Sequence, residues 1–188
     1  MRNHGERVSG DFLSRFWRAN AQDKVEALAE LRLAEDLLAG RTPLGNSRHV
    51  KALAESSTQG EKMPEFRVEL PAGNRLAESK AIGEPGKPLS ETPVVNNTKT
   101  DHKQLLEEST RSGESEGLIR LDAREAGPSR LSAEQLAEWA SKRSPNPRDS
   151  QAARWVEILY KNEDSQIIRV VLELKLGRFT VHSEQVLK

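Results

Sequence analysis

The chain has 188 residues, with 29 Lys plus Arg matched by 29 Asp plus Glu, and no cysteine. Zero formal charge offers no global field for nucleic acid or an anionic membrane, and the missing thiols exclude disulfide scaffolds, cysteine nucleophiles, thiolate zinc sites and iron–sulfur clusters. Hydrophobic residues at 35%, aromatics at 4% and a mean hydropathy of −0.71 describe a chain that is part packed and part disordered.

The start, Met1 to Arg7, lacks the apolar run of a signal peptide, and no stretch is apolar enough for a membrane span. A soluble, cytoplasmic protein without a membrane partner is the expectation.

Residues 9 to 40 read as an amphipathic helix. Ser9 or Asp11 can cap its start, and Gly40 stands where a C′ glycine would end it. Leu13, Phe16, Trp17, Ala27, Leu28, Leu31, Ala34 and Leu38 fall along one helical line, interrupted by Asn20 and Lys24. Such a face needs a partner, a second copy of the chain, or the rest of the same chain. Leu13, Phe16, Trp17, Leu28, Leu31 and Leu38 are therefore the expected protein-binding residues, with homo-oligomerisation as the related alternative.

Residues 41 to 117 read as a disordered linker. Six of the nine prolines lie here (Pro43, Pro64, Pro71, Pro85, Pro88, Pro93), and Phe66 is the only aromatic residue between Arg18 and Glu138. Without core-forming side chains, such a stretch does not offset an ordering entropy of about 1–2 kcal/mol per residue. Phe66–Leu70 alternates like a lone strand, and Lys103 to Ser109 suits a turn or two of helix.

Residues 118 to 188 read as a small α+β module. Ser132-Ala133-Glu134-Gln135 is a capping box, with Leu131 and Leu136 placed as a hydrophobic staple, and it predicts a helix to about Arg143. Ser144-Pro145-Asn146-Pro147 ends it. Asp149 or Ser150 caps a second predicted helix running to Tyr160, with Trp155, Ile158 and Leu159 as its apolar residues. Alternation through Ile168, Val170, Leu172, Leu174 and Leu176, a Gly177-Arg178 turn and Phe179-Thr180-Val181-His182 predict a hairpin. That hairpin resembles the one in secretion-system length-control proteins. The likeness is strand alternation, and no residue role follows from it. The predicted fold class is thus mostly α, with a two-helix-plus-hairpin C-terminal module and a long disordered centre.

The chemical inventory is sparse. Gly83-Glu84-Pro85-Gly86-Lys87-Pro88 departs from a phosphate loop, having Ala81 where the first glycine belongs and Pro88 where a hydroxyl would reach magnesium. His4, His49, His102 and His182 do not fall at helical ligand spacing. The adjacent carboxylates Glu35-Asp36 and Glu107-Glu108 diverge on a helix, so no acid/base pair follows from them. No catalytic residue, metal ligand or cofactor is predicted. Lys142, Arg143, Arg148 and Arg154, with Trp155 beside them, are the candidate nucleic-acid-binding residues, although cations also suit a helix end. The functional expectation is a non-enzymatic adaptor that binds proteins at both ends of a flexible tether, with nucleic-acid binding or self-assembly as alternatives.

Overall fold

Strand pairing organises the chain. The computed structural model describes residues 8–9, 21–53, 64–114, 117–142 and 153–187. Their strands lie side by side in one mixed sheet in chain order: β1 (Val8–Ser9), β2 (His49–Ala52), β3 (Phe66–Leu70), β4 (Gly73–Ala81), β5 (Gly117–Asp122), β6 (Ala153–Lys161), β7 (Ile167–Lys175) and β8 (Arg178–Leu187). β4, β5 and β6 run parallel, as do β1 and β2, and the other neighbours are antiparallel. Three helices complete the described residues: α1 (Ala21–Leu38), α2 (Glu91–Ser112) and α3 (Ala133–Ser141).

Parallel neighbours require crossovers. α2 carries the chain from β4 to β5, and α3 carries it from β5 to β6. Both contribute to one core with Leu76, Ile119, Leu121, Val156, Ile158 and Tyr160. α1 covers the other face, where Leu33 and Leu37 meet Phe66, Val68, Ala77 and Leu118. Adjacent strand residues point to opposite faces, so Leu76 and Ala77, or Leu118 and Ile119, divide between the two cores.

The mostly helical fold with a disordered centre is therefore overturned. The segment expected to be a linker supplies β2, β3, β4 and the longest helix, α2. Many of its Pro and Gly residues fall between elements or at their starts: Pro71 is in the β3–β4 turn, Pro85, Gly86 and Pro88 are in the loop after β4, Gly73 opens β4 and Pro93 is in the first turn of α2. The predicted helix from Asp149 or Ser150 to Tyr160 is also overturned, since Ala153–Lys161 is β6. Val156 to Tyr160 are all buried because this strand has core on both faces, so the period-two signal is lost.

Several local signals hold. The Ser132 hydroxyl accepts from the Gln135 N–H and caps α3. α1 ends at Gly40 with the Arg41 N–H on the Asp36 carbonyl at 2.8 Å and the Gly40 N–H on that of Leu37 at 3.3 Å. The β7–β8 hairpin turns at Leu176 and Gly177, both at positive φ, as a two-residue turn matched to strand twist requires. The start of the predicted first helix is different: Ser9 lies in β1, and residues 10–20 are outside the described set. No described helix is long and apolar enough to cross a membrane.

Candidate active site

At the point where β3 begins, the β3–β4 ladder is closed by side chains. Continuing the register beyond Phe66 and Ala77 brings Glu65 opposite Glu78. Instead of carbonyls, the two backbones meet each other's carboxylates. The Glu65 N–H donates to Glu78 Oε2 at 3.1 Å, and the Ser79 N–H donates to Glu65 Oε2 at 2.9 Å. Pro64, with no N–H to give, precedes the pair and is buried. Each carboxyl group takes one of these bonds on its Oε2.

Period-two geometry then puts Lys80 on the same side of β4 as Glu78. Its ammonium makes no ion pair within 4 Å among the described residues. Burial alone would lower the Lys80 pKa, but the carboxylates of Glu65, Glu78, Glu26 and Asp101 outweigh it and raise it, so the group is a firm ammonium. Glu26 and Glu30 come from α1, and the fully buried Asp101 comes from α2.

The carboxylates respond in the opposite sense. Glu78 is 1% exposed. Burial, reinforced by the charge of Asp101, pushes its pKa up to about 8, against the pull of Lys80. Glu65 is pushed well above the usual range by burial and by the charges of Glu78 and Glu30. Strongly perturbed carboxyls beside a specific cation are a mark of functional sites.

No group of three or more His, Asp or Glu among the described residues is drawn together as a closed metal cage. The donor set fits a different kind of cation site. One or two carboxylates are what Mg²⁺ uses when water and substrate phosphate complete its shell. All-oxygen donors also select hard cations over zinc or copper.

The residues singled out in the sequence lie elsewhere. Leu13, Phe16, Trp17, Arg143 and Arg148 are outside the described residues. On α1, Leu38 is buried, Leu28 half-buried and Leu31 40% exposed, so this part of the stripe is largely spent on the sheet. Lys142 pairs with Glu91 at 2.9 Å, and Arg154 with Glu173 at 2.9 Å, so these two cations do not converge on one site. The Gly83–Pro88 loop packs on the loop after β5 through bridges from Pro85 to Ala126 and Pro88 to Gly127. A Cβ at Gly127 would stand 2.5 Å from the Gly86 carbonyl oxygen, so the loops meet backbone to backbone.

The sequence reading missed Glu65, Glu78, Lys80 and Asp101. The available signal was Pro64-Glu65 followed by Glu78-Ser79-Lys80: a carboxylate at a strand start, then an acid and a lysine two residues apart on the next strand.

No protein-family model matches the chain, and no curated protein matches it. Among solved structures it is similar to Pyrococcus furiosus SfsA in complex with Ca²⁺, at 15% identity and a TM-score of 0.32. The match covers 85% of this chain and 60% of that one. A likeness of that degree carries no argument about activity.

Proposed function

We propose that the chain is a divalent-cation-dependent hydrolase of phosphodiester bonds, a nuclease in its simplest form. The observation that carries this reading is the Glu65–Glu78 pair locked across β3 and β4, with Lys80 two residues along the same face. Two neighbouring acids that resist ionisation on their own would give up their protons once a cation took the protons' place. A lysine held beside that cation calls in turn for an anion between the two positive groups. A phosphodiester supplies that anion.

In this reading Glu65 Oε1 and Glu78 Oε1 would hold the cation. When bound, the cation would polarise the phosphoryl oxygens and favour ionisation of an attacking water. Lys80, held as an ammonium by its carboxylate neighbours, cannot serve as a base. It would donate to a non-bridging oxygen and stabilise the charge that grows there in the transition state. Water adds to phosphorus, the P–O ester bond breaks, and the leaving oxygen gains a proton to become a hydroxyl. The adaptor reading stands behind this one, because its flexible tether is replaced by β2, β3, β4 and α2, and because Leu38 is committed to the core.

The test is cleavage of end-labelled RNA and DNA with Mg²⁺, Mn²⁺ or EDTA. Cation-dependent cleavage is expected, falling by on the order of 100-fold in Glu78→Gln and in Lys80→Met. Cleavage that persists in EDTA, or that both variants retain, would discard the assignment. So would a lack of cleavage combined with no Mg²⁺ or Mn²⁺ binding by calorimetry.

A further inference from the structure

The unabsorbed feature from the sequence is Arg154-Trp155, and the structure gives it company. β6 slips register against β5 between Gly117 and Leu118, leaving Arg154 as the extra residue beside Trp155. β8 slips against β7 between Val171 and Leu172, leaving His182 as the extra residue there. Bulges of this kind re-aim side chains. Here they bring the Arg154 guanidinium 5.4 Å from the Trp155 ring centroid and the His182 ring 5.0 Å from it, edge to face.

The same face continues in cations. Trp155 pairs with Glu173, which pairs with Thr180, and the next pair outward is Lys175 with Arg178. Like charges directly opposite one another in a sheet are destabilising, so this pair works against the hairpin that holds it. Glu173, only 6% exposed, takes Arg154 at 2.9 Å and Lys175 at 2.7 Å, with His182 Nδ1 at 3.6 Å. One sunken carboxylate therefore serves two cations and a histidine ring. The β8 acid Glu184 pairs with core-facing Val170 and belongs to the other side. Among the described residues this face of β6, β7 and β8 presents positive charge and flat rings, and no exposed carboxylate.

We infer that this face is a platform for single-stranded nucleic acid. Its backbone phosphates would lie along Lys175 and Arg178, with bases stacked on the Arg154 guanidinium and the His182 ring. Flat groups among cations suit this ligand because every base has a π-face and every linkage a negative charge. The site is separate from Glu65, Glu78 and Lys80 and needs no cation. It therefore does not depend on the hydrolase reading.

The test is fluorescence anisotropy of a labelled 20-residue oligothymidylate with the full chain in EDTA, where hydrolysis is silent. Binding is expected to weaken steeply with salt. The exposed pair Lys175→Glu/Arg178→Glu should raise Kd at least tenfold, and His182→Ala should raise it severalfold. Lys175→Gln/Arg178→Gln, a milder change in the same side chains, should give an intermediate loss in a protein of unchanged circular dichroism. Absence of binding at low salt, or binding indifferent to both charge variants, would overturn the platform. Equal displacement of the oligonucleotide by polyglutamate would also overturn it, assigning the face to acidic polypeptides. Cleavage without platform binding, or the reverse, separates this inference from the proposed activity.

Discussion

Two groups of charged side chains are sunk into opposite faces of the same sheet, and they are built on opposite plans. On the α1 face, Arg120 is fully buried between Glu157 and Asp36, whose Oδ2 stands 2.8 Å from its Nη1. Arg169 reaches the same Glu157, and Arg41 holds Asp36 at 2.7 Å. Every charge there meets its opposite. On the α2 face, Glu65 and Glu78 face each other, Asp101 adds a third acid, and Lys80 is the cation among them. The first arrangement pairs its acids with its own cations. The second gathers more acids than cations, and burial pushes Glu65 and Glu78 toward their neutral, protonated forms.

The largest expected contrast comes from deleting a central charge in each. Arg120→Met removes the buried cation shared by Glu157 and Asp36, leaving each with one partner, and should cost about 3 kcal/mol in urea unfolding. Glu78→Gln, which removes an acid that ionises only at the cost of burial and of repulsion from Asp101, should instead raise cation-free stability at pH 8 by on the order of 1 kcal/mol. A loss of stability on that substitution would mean that the acid pair is a structural latch.

The pH response gives a finer test, since the two faces should pull in opposite directions. Burial alone would raise Asp36, but Arg120 and Arg41 outweigh it and hold its pKa below the ordinary value. Asp122 is lowered in the same way, with Arg124 and Arg32 outweighing burial. Folded-state values below the unfolded ones mean stability that is present above the unfolded pKa and lost as acid titrates through the folded one. Glu78 runs the other way: its folded pKa of about 8 exceeds its unfolded value, so the unfolded chain releases the proton first. Cation-free protein should therefore weaken as pH rises from about 5 toward 8, by on the order of 1 kcal/mol per unit at most. Thermal melts across that range would show it, and saturating Mg²⁺ should flatten the decline. The smallest effect belongs to the rim. Arg32, part-exposed and 3.6 Å from Asp122, should cost under about 1 kcal/mol when changed to Ala.

How much of this was legible in the sequence differs between elements. The α3 capping box, the Gly40 helix end and the β7–β8 hairpin are local devices, and local devices can be read locally. β4 cannot be read that way. Gly73-Asn74-Arg75-Leu76-Ala77-Glu78-Ser79-Lys80-Ala81 has little strand propensity and exists because β3 and β5 flank it. α2 misleads for a related reason: its buried face includes Thr98, Asp101, His102, Gln104 and Glu108, so its burial leaves no apolar stripe over its length. Glu78, Lys80 and Asp101 sit on these two elements, and Glu65 stands just before β3. Polar residues turned inward are what made the segment resemble a linker. The carboxyl groups that meet, Glu65 and Glu78, are also thirteen positions apart in sequence, a spacing that no local pattern marks.

The order of the strands has one more consequence. Every strand from β1 to β8 pairs with its neighbour in the chain, so the sheet is laid down like courses of brick in the order of synthesis. An emerging polypeptide can add each strand to a finished edge, without waiting for a distant partner to close a gap. The same order runs in reverse. A pull on the C-terminus meets β8 alone, then β7, so the molecule can be unzipped strand by strand through an opening far narrower than its folded width.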